Sequence, residues 1–242
     1  MQIISYKNNI TNFITFFNSV INTDYIDGLS VPIIKTRDNQ IIVFDDNMGE
    51  ETSTEVLQNS TINDLQETTI FTLERMLTAL TNIKDFNKRI ILKVYPLVLP
   101  ILSNETIQYI NTQNRVYIQT IKTIIDKYPN LNISLTSINT NLLQEMKRSI
   151  TNHELGLIID QANPIYISVD FYVLNPLMLD EVILKQELDE GREIMISITT
   201  GNDLSIINSF FKENSNFLKN ELLLKLTFIT GYPDLLNRTL RN

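Results

Sequence analysis

A chain of 242 residues with 43% hydrophobic content can bury one large core, and α/β barrels of about 200 to 250 residues commonly form a single domain. Its formal charge of -8, from 28 acidic and 20 basic residues, disfavours binding of nucleic acid or anionic membrane by the surface as a whole. The lack of cysteine removes disulfides, a thiolate nucleophile and cysteine zinc sites, and a single histidine, His153, removes every multi-histidine metal site.

No apolar run approaches the roughly 18 residues needed to span a bilayer. The opening MQIISYKNNI lacks the apolar core and small-residue cleavage site of a secretory signal, so an intracellular protein with no transmembrane segment is expected. Triplets such as Asn9-Ile10-Thr11 and Asn104-Glu105-Thr106 are then read as chance in an Asn-, Ile- and Thr-rich chain, a composition typical of an A+T-rich genome.

In chain order, Ile3 to Tyr6 is a short apolar strand, and Ile10, Phe13, Ile14 and Phe17, with Val20 and Ile21 beyond, follow at helical spacing. Tyr25 to Asp46 contains two apolar runs, Ile26 to Ile34 and Ile41 to Phe44, around the turn-forming tetrad Arg37-Asp38-Asn39-Gln40, which predicts a strand feeding a hairpin. Because i and i+2 share a strand face, Gly28, Ser30 and Pro32 point one way and Asp27 the other. Residues 47–70 form a polar, acidic excursion. Thr72 then caps a helix through Leu73, Met76, Leu77 and Leu80.

Arg89 to Tyr95 is a strand closed by Pro96, and Ile121 to Tyr128 a helix ended by Pro129-Asn130. Ile133 to Ile138 is a strand, followed by a helix through Leu142, Leu143 and Met146. Leu155 to Ile159 and Ile165 to Phe171 read as consecutive strands with too little chain between Asp160 and Ile165 for a full helix. Helices near Pro176 to Asp189, Asp203 to Glu213 and Pro233 to Leu240 alternate with strands Ile194 to Ile198 and Leu226 to Ile229. Eight short strands with mostly helical connections fit an α/β fold, a (β/α)8 TIM barrel. A doubly wound sheet is the rival, but none of the 6 glycines forms a phosphate-binding G-x-G-x-x-G or G-x-x-x-x-G-K loop.

In such a barrel the strand C-termini line the potential site. Those positions are Ser5, Tyr6 and Lys7, Ser30 and Pro32, Asp45 and Asp46, Lys93 and Tyr95, Thr136 and Ser137, Asp160, Asp170, Ser197 and Thr199, and Thr230 and Gly231.

Several of these segments, in this order, resemble the glycerophosphodiester phosphodiesterases, members of the PLC-like phosphodiesterase barrels. They are Ile3-Ile4-Ser5-Tyr6-Lys7, DYIDGLSVPIIKTRDNQIIVFDD, RIILKVYP, ISLTSINTNLLQEMKRSI with LGLIID, and REIMISITTGNDLSIINSFF with FITGYPDLL. The resemblance implies a metal-dependent barrel with histidine acid/base chemistry, and most of its functional positions meet a mismatch here. The first-strand His-Arg falls on Tyr6-Lys7. Registering Thr-x-Asp on Thr36-Arg37-Asp38 puts the metal-binding Glu-x-Asp on Ser30-Val31-Pro32. The second catalytic histidine falls on Asp45, its following aspartate on Asp46, the third-strand Glu-x-Lys on Lys93 and Tyr95, and the late aspartate on Gly231.

A divalent ion of this type takes several hard oxygens at about 2.0–2.6 Å, and Ser30, Pro32 and Lys93 bring no anionic oxygen. The vestigial positions are therefore Tyr6, Lys7, Ser30, Pro32, Asp45, Asp46, Lys93, Tyr95 and Gly231, with Lys7 and Lys93 as anion contacts. Two classes stay open: a non-catalytic barrel acting as a structural or interaction protein, without cofactor, or a phosphodiesterase with a relocated site holding Mg or Ca on Asp45, Asp46 and Asp170, with Asp160 as a further candidate. A solvated turn at Asp45-Asp46, capping roles for Asp160 and Asp170 and a surface-loop place for His153 are the plainer readings. The excursion carries Glu50, Glu51, Glu55, Asp64 and Glu67 with no basic residue, and Met48, Val56, Leu57, Ile62 and Leu65 as an apolar patch. That combination suits a basic protein partner or self-association.

Overall fold

The computed structural model describes residues 1–6, 13–44, 53–65, 71–97, 104–160, 167–213 and 225–241. Eight parallel strands close on themselves: β1 (Gln2–Tyr6), β2 (Gly28–Lys35), β5 (Arg89–Val94), β6 (Ile133–Ser137), β7 (Glu154–Ile159), β8 (Phe171–Leu174), β9 (Glu193–Ile198) and β10 (Leu226–Thr230). Closure is made by β1, which pairs with β10 (Ile3 opposite Phe228) and with β2 (Tyr6 opposite Ser30). Two short strands, β3 (Ile41–Val43) and β4 (Phe71–Thr72), extend the upper part of β2 as an antiparallel flap. This is a (β/α)8 barrel, with the hairpin where Arg37 to Gln40 turn the chain. Asn39 adopts a φ of 60° in that turn, a left-handed conformation that asparagine tolerates better than most residues.

The helices follow from apolar spacing and local caps. They are α1 (Phe13–Ile21), α2 (Thr54–Asn59), α3 (Leu73–Thr81), α4 (Asn104–Ile125), α5 (Thr140–Ser149), α6 (Glu181–Asp189), α7 (Gly201–Glu213) and α8 (Pro233–Arg241). Thr72 Oγ1 accepts from Arg75 N at 3.2 Å and Asn139 Oδ1 from Leu142 N at 2.9 Å, so each satisfies one of the amides left free in a first turn. In α4, which begins well before the predicted Ile121, buried Tyr117, Ile118, Ile121 and Ile125 recur at three- and four-residue spacing. The predicted helix over 176–189 is split into a single 3-10 turn, Pro176–Met178, and α6.

The pleat sorts the strand residues into two cores. Leu29, Val31, Ile33, Ile90, Leu92, Leu135 and Ile196 face outward and bury against the helices. Ile4, Tyr6, Ile91, Phe171, Val173, Met195 and Ile229 fill the barrel. Glycine is required at two inward positions. A Cβ on Gly156 would lie 2.1 Å from the Phe171 ring, and one on Gly28 would lie 2.3 Å from the Arg89 carbonyl. The missing Cβ at Gly156 lets Phe171 occupy the barrel interior, where burying its ring contributes about 1.5–3 kcal/mol.

The N-terminal end of the barrel is closed by charge. Arg89 Nη1 donates to both carboxylate oxygens of Glu193 (2.8 and 2.7 Å), Nη2 to Glu154 (2.7 Å) and Nε to Ser134 Oγ (3.0 Å). The guanidinium also lies 5.1 Å from the Phe171 ring centre. Thr227 Oγ1 donates to Glu193 and Ser134 Oγ to Glu154. Just outside, Asp27 and Asp170 make the same clamp. Each stands immediately before its strand, and its carboxylate accepts a neighbouring strand's amide: Ile3 N at 2.7 Å for Asp27 and Leu155 N at 2.8 Å for Asp170.

The excursion is partly structured. Ser53 caps α2 by accepting from Val56 N, and Leu57 and Leu65, with Ile62 beside them, pack on Ile34, Ile42 and Phe44 of the hairpin. The predicted apolar patch therefore loses most of its described members to the protein's own core, while Val56 stays exposed. Met48, Glu50, Glu51 and Glu67 lie outside the described residues, as does the connection predicted between Asp160 and Ile165. No helix among the described residues is long and apolar enough to cross a membrane.

Candidate functional site at the barrel mouth

Strand register brings several predicted positions together at the C-terminal end. Tyr6 ends β1 opposite Ser30, Pro32 lies opposite Lys93, and Lys93 lies opposite Thr136. Proline is tolerated inside this sheet because of where it falls. The last β1 partner of β2 is at Ser30 and the first β3 partner is at Ile33, so Pro32 occupies the gap between two ladders on that side. Its carbonyl accepts from Phe44 N at 3.2 Å.

Lys93 is the dominant charge of this group. Its ammonium is 5.9 Å from the Tyr6 ring centre and 4.9 Å from that of Tyr95, within the range over which a ring face attracts a cation. Tyr95 is itself held edge-on to Phe44, with ring centres 5.2 Å apart. The hairpin thereby sets the position of one ring, and the strand pleat sets the other.

Beside Lys93 opens a cavity of about 300 Å³, walled by Lys93, Tyr95, Ile138, Ile158, Asp160, Asn175, Ser197 and Thr199 among others. Its walls mix branched aliphatic groups with hydroxyls, one amide, one ammonium and one carboxylate. Three of the other hydroxyls predicted to face the site, those of Thr136, Ser137 and Thr230, are committed to the barrel. Thr136 Oγ1 donates to the Gly156 carbonyl at 3.0 Å and Ser137 Oγ to the Val94 carbonyl at 2.7 Å, while Thr230 Oγ1 accepts from Tyr232 N at 2.9 Å. Gly231 is half-buried after β10, and its amide donates to the Ile198 carbonyl at 3.3 Å.

Asp170 does not join the mouth. The predicted strand Ile165 to Phe171 is displaced: β8 begins at Phe171, so Asp170 precedes it and lies at the opposite end of the barrel from Asp160. The separation is about five residues of strand, on the order of 16 Å. The run Ile165 to Leu174 is apolar nearly throughout, and alternation alone does not locate a strand inside it. Pairing of Gly156 with Phe171 does. That displacement also hid Asn175 as a wall of the cavity, although Asn-Pro at the end of an apolar run is a sign of chain reversal.

His153 is also remote from the mouth, preceding β7 and half-buried, with Nδ1 3.0 Å from the Ile133 carbonyl oxygen. Lys7, Asp45 and Asp46 lie outside the described residues. Among the described residues no group of three or more His, Cys, Asp or Glu side chains could hold a metal ion. The described wall offers one carboxylate, Asp160, in the same cavity as an ammonium, a donor set that does not fit the several anionic oxygens Mg or Ca requires.

Solved structures resemble this barrel over its whole length. A protein from Silicibacter pomeroyi assigned as a glycerophosphoryl diester phosphodiesterase superposes with a TM-score of 0.74 at 10% identity, covering 100% of this chain and 93% of that one. A phosphodiesterase from Oleispira antarctica, solved with its product sn-glycerol-3-phosphate, gives 0.70 at 12% identity, covering 100% and 97%. A glycerophosphodiester phosphodiesterase from Thermotoga maritima gives 0.63 at 16% identity, covering 98% and 96%. The chain has the glycerophosphodiester phosphodiesterase fold. No family model matches the sequence, and no curated protein does. The glycerophosphodiester phosphodiesterase fold is thus kept by pattern and packing, at an identity too low to carry residues across.

Proposed function

We propose that this protein is a non-catalytic barrel of the glycerophosphodiester phosphodiesterase fold, acting as a structural or interaction protein. The observation that carries the reading is the Lys93 ammonium between the rings of Tyr6 and Tyr95, at the position where the resemblance implies a metal-binding carboxylate. An ammonium repels a divalent cation and recruits anions. On this reading the mouth holds an anion through Lys93, with Lys7 as a second contact, and performs no hydrolysis. No cofactor is needed. The Asp45, Asp46 and Asp170 site is not retained as an alternative, because Asp170 serves the other end of the barrel.

What remains for function is surface. Glu55 and Val56 on α2 are exposed side by side, and they would present charge and an apolar group to a basic protein partner or a second copy. The first test is hydrolysis. Purified protein given glycerophosphodiesters with Mg, Ca or Mn is expected to release no glycerol phosphate above a protein-free control. Turnover that disappears on Asp46→Asn would overturn the proposal. The second is assembly by light scattering, where Glu55→Lys combined with Val56→Asp is expected to abolish any self-association of the parent; unchanged assembly would place the interface elsewhere.

A further inference from the structure

A second cavity lies on the outer side of the sheet, under α4, and is unconnected with the mouth reading. Lys35 ends β2 on the outward-facing side, with only 7% of its surface exposed. Its Nζ donates to Asn39 Oδ1 at 2.9 Å and to Gln113 Oε1 at 3.0 Å. Both acceptors are neutral, so among the described residues no carboxylate compensates the charge, and these two bonds use two of the three donors of an ammonium. Burial lowers the Lys35 pKa, and no neighbouring charge raises it again. A buried cation without a counter-charge among the described residues is an expensive arrangement, although this one also bridges the hairpin and α4.

The cavity has a volume of about 170 Å³ and is lined by Lys35, Arg37, Gln58, Asn59, Tyr109 and Gln113 among others, with no acidic residue among the described residues of its wall. Two cations facing a space without carboxylates run against the trend of a chain carrying a net charge of -8. Arg37 is exposed and only loosely engaged, its Nη2 standing 3.5 Å from Asp64, so its planar fork can turn toward a ligand. Amide groups on Gln58, Asn59 and Gln113 supply further polar contacts. That volume is ample for a small oxyanion.

We propose that this cavity binds a small oxyanion, an inorganic phosphate or the phosphate or carboxylate of a compact metabolite, with Lys35 as the buried charge and Arg37 as the outer clamp. Its walls come from the end of β2, the hairpin, α2 and α4, whereas Ser30 and Pro32 of the same strand face the barrel interior. Mouth and cavity can therefore succeed or fail separately.

The test is titration calorimetry with inorganic phosphate and, in a parallel arm, acetate. Saturable binding with a Kd below about 1 mM is expected for at least one of them, and the tighter arm assigns the ligand as phosphorylated or carboxylic. In the Lys93→Met background, where the mouth's own anion contact is absent, Lys35→Met should weaken binding at least about tenfold and Arg37→Gln about threefold, while a change at the exposed Lys212, Lys212→Met, should leave it unchanged. No saturation by either anion, binding that survives Lys35→Met in that background, or binding lost with Lys212→Met would each overturn the proposal. Should Lys35→Met not fold, acetylation of the intact protein reads the same site by mass spectrometry. Saturating anion should then slow modification of Lys35 but not of the exposed Lys212, and equal rates at Lys35 with and without anion would overturn the assignment.

Discussion

The two ends of this barrel are built on opposite principles. At the N-terminal end Arg89 is shared by Glu193, Glu154 and Ser134, and Asp27 and Asp170 each grip the amide of a neighbouring strand. At the C-terminal end a lysine faces two aromatic rings beside an open cavity of about 300 Å³. The charge network plugs the barrel interior at one end, beneath a polar cavity of about 460 Å³ lined by Asp27, Lys88 and Arg89 among others, while the pocket at the other end mixes apolar and polar walls. The two ends share no residue, so the charge that holds the barrel at one end does not constrain the chemistry at the other.

The largest expected effect breaks the closed end. Arg89→Met strands two carboxylates around an apolar side chain and should cost about 3 kcal/mol of unfolding free energy, read from urea denaturation. A loss below about 1 kcal/mol would show that the network is cosmetic. Next comes Gly156→Ala, whose new methyl group meets the Phe171 ring and should cost about 2 kcal/mol by overpacking. At the open end Lys93→Met should change stability by less than about 0.5 kcal/mol. An equal cost at both ends would erase the contrast.

The smallest effect is a pH dependence outside either end. The Lys35 pKa is lowered from 10.5 in the folded protein, so between that lowered value and 10.5 the unfolded chain binds more protons and stability rises with pH. Tyr117, buried nearby under the same helix with its pKa raised from 10.0, works in the opposite sense above about pH 10, so the window to measure lies below that. Arg37 and Tyr109 are the other ionisable groups lining the Lys35 cavity. Lys88, whose pKa burial also lowers, adds a rise of the same sign, so Lys35→Met should reduce the rise seen in urea midpoints and change neutral stability by less than about 1 kcal/mol. A rise of unchanged size in the variant would assign it to another group.

The order of strands and helices was legible in the sequence because periodicity reports which face is buried, and both cores here are continuous. Thr72 as a cap and the turn at Arg37 to Gln40 were legible for the same local reason. Asp170 was not, since apolar residues stand on both sides of it and do not mark where pairing begins, and the register is decided by Gly156 receiving the Phe171 ring. The length of α4 was obscured by its polar first half, Asn104 to Asn114. Tyr6, Ser30, Pro32 and Lys93 were identified as neighbours through strand order, but the capture of Lys93 by two rings was not, because Tyr95 is set by Phe44 from a different element. The Lys35 cavity had no sequence signal, as its two cations stand among polar turn residues.

Barrel closure also dictates when the chain can finish folding. The partner of β1 on one side is β10, with Gln2 set against Thr227, so a growing chain carries β1 with one side unsatisfied until β10 has been made. Closing a loop of that length is entropically slow rather than prohibitive, and until then two strand edges remain open to other chains. The hazard during synthesis is sticky ends rather than exposed core, and it makes the last strand, not the first, the step that commits the molecule.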